Sequence, residues 1–278
     1  MNTPATAGAK TGPITNAYVE VNNASIANVG KYVLTSNGAQ VFDIGIIFAA
    51  NINSDGKSAY LSFNEQVKAV LDNAAKEIAP LQAKGIKVLL SVLGNHQGVG
   101  FANFADEGAA KAFAAQLAKA VTTYGLDGID FDDEYADYPT SGPGQPNAWS
   151  FPYLVRAVRN ELPKDKILSL YFIGPASQTL SYDGIEVGDL LNYSWNPYYG
   201  TWGVPAVPHL DKAHLGPAAI DIQNTSTEEA NGLAQQTVDN GYGVFNTYNL
   251  PDADVSTYLS SVTKPLYGSD VTYLGGSA

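Results

Sequence analysis

Apolar runs of strand length recur along the whole chain, and segments with a helical or loop pattern separate them. Several runs are apolar on consecutive residues, which is the pattern of strands that are covered on both faces. The runs begin at Ala17, Val41, Ile86, Leu126, Ile167, Leu190, Ala218 and Tyr242. Such strands, alternating with other elements, predict an α/β fold, a single (β/α)8 TIM barrel.

Helical spacing of apolar residues separates several of these runs. The segments 67–78 and 113–121 each place their apolar residues on one face, and a third helical segment stops at Pro163. Late in the chain, Ser226 and Glu229 have the spacing of a capping box, which predicts the start of another helix.

The second half of the chain is more tightly spaced. The runs at Leu190, Ala218 and Tyr242 begin about 25 residues apart, near the lower limit for a full βα unit. Loops rich in Pro and Gly fill part of that length. We therefore expect helices around strands five and six to be reduced or missing.

No linker interrupts the pattern, so we expect one catalytic domain over 14–278 after a flexible leader over 1–13. An open doubly wound sheet is the alternative fold. It is disfavoured because the first strand is followed by VEVNNASIANVG, which lacks the glycine-rich G-x-G-x-x-G phosphate loop.

Composition limits the partners. Lys and Arg total 15 against 27 Asp and Glu, and the net charge of −12 would repel nucleic acid and anionic membrane surfaces. The chain has no cysteine and three His, so neither a thiolate nor a His-rich metal site is expected. No run has the roughly 20 apolar residues of a membrane span. The chain start lacks the apolar core of a signal peptide. No exposed apolar stripe demands a partner, so we expect a monomer.

Acidic residues gather in YGLDGIDFDDEYADY, residues 124–138. Asp130, Asp132 and Glu134 alternate with apolar or other residues, and residues two apart in a strand share one face. The three carboxylates should therefore point the same way at the C-terminal end of strand four, where barrels hold their active sites.

Two other interpretations of this stretch account for less of its pattern. A solvated acidic loop accounts for Asp133 and Asp137, but it does not account for strict alternation within an apolar strand. A calcium site would need D-x-D-x-D-G spacing with a final Glu, and that spacing is absent. Catalysis is the interpretation that fits the alternation.

Close carboxylates cannot all ionise, so at least one keeps its proton near neutral pH. Glu134, nearest the mouth, can act as a general acid. Asp132 can accept a hydrogen bond from a substrate N–H, and Asp130 can share a proton with it. An ordinary retaining glycosidase also needs a carboxylate nucleophile, for which Asp221 is the only candidate. A substrate whose own N-acetyl oxygen attacks the anomeric carbon removes that need.

The stretch LDGIDFDDE matches the signature D-x-x-D-x-D-x-E and resembles glycoside hydrolase family 18. The segments VLLSVLGNHQGVGFANF and WNPYYGTW are closer to the endo-β-N-acetylglucosaminidases similar to endoglycosidase H than to chitinases. The resemblance runs from strand one through strand six. It implies a secreted, cofactor-free enzyme that cleaves between the two core N-acetylglucosamines of N-linked glycans, with high-mannose glycans as substrates.

The resemblance also implies roles for individual residues. The three carboxylates keep the roles given above, with Asp132 stabilising an oxazolinium intermediate. The end of strand six supplies an amide and a tyrosine, Asn196 and Tyr198, and the tyrosine would hydrogen-bond the acetamido oxygen. Tyr199 is the alternative for that contact.

Further residues near the predicted mouth could bind sugar, because aromatic rings stack on apolar sugar faces. Trp195 is expected to pack outward, and His96 to be a loop residue. Several candidates, such as Phe48 and the pair Tyr18 and Glu20, are equally compatible with a structural role. The substrate-binding candidates are Tyr18, Glu20, Phe48, Asn95, Tyr171, Tyr199, Trp202 and Tyr248.

Two alternative functions remain open. A chitinase acting on chito-oligosaccharides is the second hypothesis. However, the resemblance implies a tryptophan at the end of strand eight in chitinases, and this chain has Tyr248 and Asn249 there. A catalytically inactive carbohydrate-binding or inhibitor protein on the same barrel is the third. It is disfavoured because the signature retains all of its acidic residues.

Overall fold

The computed structural model describes residues 8–275. Its strands in chain order are β1 (Ile14–Glu20), β2 (Tyr32–Leu34), β3 (Ile44–Ser54), β4 (Ala59–Ser62), β5 (Lys87–Leu93), β6 (Gly128–Asp132), β7 (Ile167–Tyr171), β8 (Ser181–Tyr182), β9 (Ile185–Glu186), β10 (Tyr193–Trp195), β11 (Thr201–Trp202), β12 (Leu215–Gly216), β13 (Ala218–Asp221), β14 (Val244–Tyr248) and β15 (Val271–Tyr273). Its α-helices are α1 (Glu65–Asp72), α2 (Ala74–Glu77), α3 (Ala79–Ala83), α4 (Glu107–Tyr124), α5 (Ser150–Glu161), α6 (Thr227–Asp239) and α7 (Ser256–Tyr267).

The parallel strands follow the order of a TIM-like barrel, as the sequence predicted. From β1 the pairing runs through β3, β5, β6, β7 and β10 to β12. On the other side, β1 pairs with β14, and β14 pairs with β13. Pro217 separates β12 from β13, because proline lacks the N–H that a strand ladder needs. Each of the eight apolar runs contains a strand of this curled sheet.

Apolar residues fill both faces of the sheet, as strands covered on both sides require. The outer layer packs against the helices, where the Phe131 ring meets Phe101 and Phe151 edge-on with centroids 5.4 and 5.5 Å apart. The inner face forms a second cluster inside the barrel that includes Tyr18 and Trp195. Trp195 was expected to pack outward, and that was wrong: its ring is fully buried inside the barrel.

The helices match the apolar periodicity, but the first predicted helix is divided. The segment predicted as a single helix that ends near Gly85 forms α1, α2 and α3, with breaks at Asn73 and Ile78. At the first break, the Asn73 backbone N–H and side-chain amide both donate to the Ala69 carbonyl. The capping box predicted at Ser226 and Glu229 is present at the start of α6. Helix α7 was not predicted, and Pro265 lies inside it.

Short elements form the connections after strands five and six in the described part of the chain. Between β7 and β10 lie two 3-10 helices, Pro175–Gln178 and Val187–Asp189, and the β8–β9 hairpin. Between β10 and β12 lie β11 and the 3-10 helix Lys212–His214.

The start of the described chain lies on the end of the barrel opposite the mouth. Residues 1–7 of the predicted flexible leader lie outside the described residues. Lys10, by contrast, packs under the barrel, where its ammonium donates to the Val41 carbonyl and pairs with Asp43. The packed fold therefore begins before Ile14. Over 8–275, no helix has the length and apolar character needed to cross a bilayer.

Candidate active site

A cleft of about 310 Å³ opens at the C-terminal end of the barrel strands. Its walls come from different strand ends, because parallel barrel strands all finish at the same rim. The lining side chains include Glu20, Phe48, Glu134, Tyr171, Tyr199 and Tyr248. The sequence analysis predicted all six as site residues.

Asp130 is the deepest of the three alternating carboxylates and is fully buried. Its Oδ2 accepts hydrogen bonds from the Tyr18 hydroxyl at 2.7 Å and from Ser91 at 2.9 Å, and its Oδ1 accepts one from Ser169 at 2.7 Å. Burial raises its pKa to about 6, although these hydrogen bonds oppose the rise. The Tyr18 hydroxyl also accepts a hydrogen bond from the Trp195 ring N–H at 2.7 Å, which fixes its orientation.

Asp132 is equally buried but poorly satisfied. Its Oδ1 accepts a hydrogen bond from the Glu134 backbone N–H at 3.2 Å, whereas its Oδ2 is buried with no hydrogen-bond partner. Burial, followed by the charges of Glu134 and Asp130, holds its pKa well above the usual range. A buried acceptor without a donor costs free energy unless a ligand supplies one.

Glu134 lies just beyond the end of β6 and is half-buried, so it lines the cleft as the sequence predicted. Burial raises the pKa of its carboxyl. A raised pKa keeps the proton on this group closer to neutral pH, which is what a general acid requires. The alternation thus sets three carboxylates at increasing height toward the mouth.

Two tyrosine hydroxyls meet beside this column of acids. Tyr171 pairs in register with Asp132, and its hydroxyl lies 2.6 Å from that of Tyr199. The Tyr171 hydroxyl also donates to the Pro197 carbonyl at 2.8 Å. Besides burial, the charge of Asp132 contributes to raising the pKa of both tyrosines, so both remain neutral donors.

Tyr198, predicted to contact the acetamido group, lines the outer cleft and is 61% exposed. Asn196, predicted as its partner, is buried and serves the local backbone. Its side-chain amide donates to the Pro217 carbonyl and the Thr201 hydroxyl, and its oxygen accepts from the Tyr198 N–H at 3.1 Å. Asn196 therefore shapes the turn that carries both tyrosines.

Another part of the cleft wall is formed by residues from strands one, two and eight. The Tyr248 hydroxyl donates to Glu20, whose other oxygen accepts from Asn23 at 3.1 Å. The rings of Tyr248 and Tyr199 stack with centroids 4.7 Å apart, and Phe48 meets Tyr248 edge-on. An aromatic wall of this kind suits the apolar face of a sugar.

Three predicted candidates lie elsewhere. Asn95 donates to Asn53 outside the cleft lining. Trp202 pairs with Ala218 at the start of β13 and packs on Tyr242, on the barrel's outer side. The Asp221 carboxylate accepts from the Gln223 N–H and the Asn224 amide, so it is bound to its own loop.

Asp133 was assigned to a solvated acidic loop, and that assignment was wrong. Its side chain is 3% exposed and accepts three hydrogen bonds from neighbouring loops. It points away from its neighbours Asp132 and Glu134 because successive strand residues face opposite sides. Asp137, assigned to the same loop, is exposed and lies 2.9 Å from His96.

Several site residues were missed by sequence reasoning. Ser91 and Ser169, which donate to Asp130, face it in register from the adjacent strands. A serine inside an otherwise apolar strand was the available signal. Tyr135 lines the cleft in a left-handed conformation that no sequence pattern indicated. Among residues 8–275, no group of three or more His, Asp or Glu side chains could hold a metal ion.

The sequence profile of the glycosyl hydrolases family 18 matches residues 17–209, which include the acidic strand and both tyrosines beside it. The chain belongs to glycoside hydrolase family 18. It is a glycoside hydrolase, and Glu134, the last acidic residue of the signature, lines the cleft described above.

Within the family, the chain is similar to two endo-β-N-acetylglucosaminidases. An endo-β-N-acetylglucosaminidase from Flavobacterium sp. (strain SK1022) is 58% identical over 264 residues, which cover 95% of this chain and 83% of the relative. Endo-β-N-acetylglucosaminidase F1 from Elizabethkingia meningoseptica is 31% identical over 270 residues, covering 92% and 79%.

A solved structure extends the comparison to a ligand complex. EndoBT-3987 from Bacteroides thetaiotamicron with Man5GlcNAc product has a TM-score of 0.84 and 28% identity, covering 97% of this chain. This chain spans 64% of that structure's chain. The structure of the same protein in complex with Man9GlcNAc2Asn substrate has a TM-score of 0.82 and 25% identity. The match covers 97% of this chain and 68% of the chain in that structure.

Proposed function

We propose that this chain is an endo-β-N-acetylglucosaminidase that cleaves the di-N-acetylchitobiose core of N-linked glycans and leaves one N-acetylglucosamine on the asparagine. The likeness to the Flavobacterium enzyme and to the two EndoBT-3987 complexes supports this substrate class. High-mannose glycans are the proposed substrates, since both complexes hold mannose-terminated chains. Secretion and a monomeric state are part of the same proposal.

One observation carries the proposed mechanism. The buried Asp132 Oδ2 has no hydrogen-bond partner, and it lies two residues before Glu134 in the chain and in register with Tyr171, whose hydroxyl meets that of Tyr199. An acetamido group supplies both what Asp132 lacks and what the tyrosines can bind: an N–H donor and a carbonyl acceptor. A rotation of the Asp132 carboxyl would aim its free oxygen at that N–H.

The reaction then proceeds in two steps. Glu134 gives its proton to the glycosidic oxygen while the acetamido oxygen bonds to the anomeric carbon, and the bond to the leaving sugar breaks. Asp132 holds the N–H of the resulting oxazolinium, whose positive charge its carboxylate offsets. Glu134, now ionised, takes a proton from water while the water oxygen bonds to the anomeric carbon. The bond between that carbon and the acetamido oxygen breaks, which opens the oxazolinium ring and gives net retention.

Substrate participation is favoured over a protein nucleophile. Of the two carboxylates that line the cleft, Glu20 already accepts from Tyr248 and Asn23. Asp221, the candidate named from the sequence, is bound to its own loop. An attacking carboxylate must lie about 5 Å from the proton donor and be free to approach the sugar.

The 3-10 connections after strands five and six belong to this proposal. Reduced helices at those positions would make the cleft wall that carries Tyr198 shorter and would open the cleft on that side. The branches of a bound glycan could then extend out of the cleft on that side, whereas a linear chitin chain has no branches that need this space.

The test of the proton donor is Glu134→Gln. We expect hydrolysis of a high-mannose glycoprotein to fall by several orders of magnitude with little change in Tm, because the amide fills the same space but cannot donate the proton. Near-normal product release by mass spectrometry would refute the assignment. Parallel incubation with chito-oligomers separates the chitinase alternative: efficient cleavage of those alone would reverse the choice. Glycan binding without product would indicate the inactive binding protein.

A further inference from the structure

A buried carboxylate sits directly behind the proposed proton donor. Asp133 precedes Glu134, but its side chain points to the opposite side of the strand end. Its Oδ1 accepts from the Phe101 N–H at 3.2 Å and from the Tyr138 hydroxyl, and its Oδ2 accepts from the Ala176 N–H at 2.7 Å. These donors belong to the loops after β5, β6 and β7. One side chain therefore ties together three consecutive loops of the active-site rim.

Close packing surrounds this junction. The Tyr138 hydroxyl, which donates to Asp133, also accepts from the Ala102 N–H at 2.9 Å. A side chain at Gly100 would overlap the Tyr138 hydroxyl, and one at Gly174 would overlap Asp133. The loops approach so closely that glycine is needed on both sides, so the junction has little freedom to shift.

The segment between Asp133 and Tyr138 holds a strained backbone. Tyr135 has φ +56 and Asp137 has φ +52, in the left-handed region that costs non-glycine residues free energy. Such conformations persist only where the surroundings enforce them. Here the enforcing contacts are the Asp133–Tyr138 hydrogen bond at the two ends and backbone hydrogen bonds from the loop after β5. In that loop the Gly94 N–H donates to the Glu134 carbonyl at 2.9 Å, and the His96 N–H donates to the Tyr135 carbonyl at 2.7 Å.

We propose that Asp133 is a positioning residue for catalysis: by holding Tyr138 and the two neighbouring loops, it keeps the strained 134–138 segment in the conformation that places the Glu134 carboxyl at the glycosidic oxygen. This inference rests on the proposed role of Glu134 as proton donor. A shift of about 1 Å in a reacting group can cost roughly 100-fold in rate. Loss of the junction therefore lowers proton donation more than substrate binding.

The variants Asp133→Asn and Tyr138→Phe test this role. An amide at 133 has one acceptor oxygen and opposes a backbone N–H with its own N–H, whereas Tyr138→Phe keeps the ring and removes one hydrogen bond. The second variant serves if the first folds poorly. Each is assayed on a high-mannose glycopeptide and on the same glycan with a 2,4-dinitrophenyl leaving group, which departs without a proton.

We expect kcat on the glycopeptide to fall about 10- to 100-fold with KM within about twofold. On the dinitrophenyl substrate, kcat/KM should stay within about threefold of the wild type, since it reports only the steps up to departure of a leaving group that needs no proton. Only a defect in proton donation separates the two substrates in this way. General loosening of the fold would lower both rates together.

The matched control is Asp127→Asn. Asp127 precedes β6 at its other end and is also a buried carboxylate with several donors, including the Val88 N–H at 2.9 Å and the Gln82 amide at 2.8 Å. This variant should lower Tm while leaving the ratio of the two kcat/KM values unchanged.

An equal fall on both substrates, or an unchanged glycopeptide rate in a folded variant, overturns the positioning role and leaves the proposed function standing. A wild-type protein that cleaves neither substrate overturns the proposed function itself. The two failures are therefore distinguishable in one set of assays.

Discussion

At the residue scale, hydrogen-bond saturation separates two carboxylates that share a strand and a degree of burial. Asp130 receives three hydroxyl donors and is held in place. Asp132 keeps one oxygen without a donor. Buried acceptors are normally satisfied, so the exception marks the atom that a ligand must complete. This difference supports the proposed roles, in which Asp130 holds its neighbours in place and Asp132 contacts the substrate.

The two adjacent tyrosines after strand six give a residue-scale prediction. Tyr199→Phe should lower kcat by about tenfold or more, because its hydroxyl lies in the group beside Asp132 and removal of one such donor typically costs that much. Steady-state kinetics on a high-mannose glycopeptide measure the effect.

Tyr198→Phe is the control, since it removes the same atom from an exposed ring on the same turn. Its kcat should stay within about threefold of the wild type. If Tyr198→Phe were the slower enzyme, Tyr198 would be the tyrosine that contacts the acetamido group, as the sequence predicted.

Sequence reasoning identified the acidic alternation because period two is a property of the strand itself. It could not choose between Tyr198 and Tyr199, since both follow the strand in a turn. Which ring is buried depends on the turn held by the hydrogen bonds of Asn196 to Thr201 and to Pro217, and Pro217 is 21 residues away in the sequence. Asp133 was misassigned for a similar reason: its donors come from three separate loops.

At the element scale, helix starts are set by local chemistry. The Ser226 hydroxyl oxygen accepts a hydrogen bond from the Glu229 N–H at 3.2 Å, and the Glu229 carboxylate accepts one from the Ser226 N–H at 3.3 Å. We expect Ser226→Ala to lower the free energy of unfolding by about 1 kcal/mol, because one amide at the start of α6 loses its partner. Urea denaturation with an unchanged m-value measures it.

The neighbouring Thr227→Ala is the control for that measurement, because Thr227 is the first helical residue and makes no capping bond. It should be neutral or slightly stabilising, since alanine has the higher helix propensity. Equal losses from both variants would show that the cap contributes nothing.

Strands were easier to predict than helices for a physical reason. A strand covered on both faces is apolar at nearly every position, as in β5, so a short stretch of sequence is enough to recognise it. Helix α7 was missed because its segment is rich in Ser and Thr and contains Pro265, all weak helix formers. Packing against α6 and β15 compensates for that weak propensity.

At the scale of the whole molecule, buried carboxylates link stability to pH. The pKa values of Asp130 and Asp133 are raised from 3.8 to about 6 by burial. The folded protein therefore binds more protons than the unfolded chain between these values, and its stability falls as pH rises through about 6. Carboxylates with lowered pKa, such as Asp55 and Asp211, act oppositely but are fully exposed and weak.

We therefore expect Tm to decrease from about pH 5 to about pH 7.5, and Asp130→Asn to flatten that decrease, because the amide does not titrate. Differential scanning calorimetry across this range measures both. A Tm that rises with pH over the same interval would contradict the linkage.

The contact between Glu20 and Tyr248 joins residues 228 positions apart in the chain. Strand β14, which carries Tyr248, also completes the pairing with β1. While the chain is still being synthesised, its early strands can associate, but the part of the cleft formed by Tyr248 is missing until β14 has left the ribosome. A chain that stopped before β14 would hold its three acids, Phe48 and Tyr199, but it would lack the ring that packs against both of those aromatic residues.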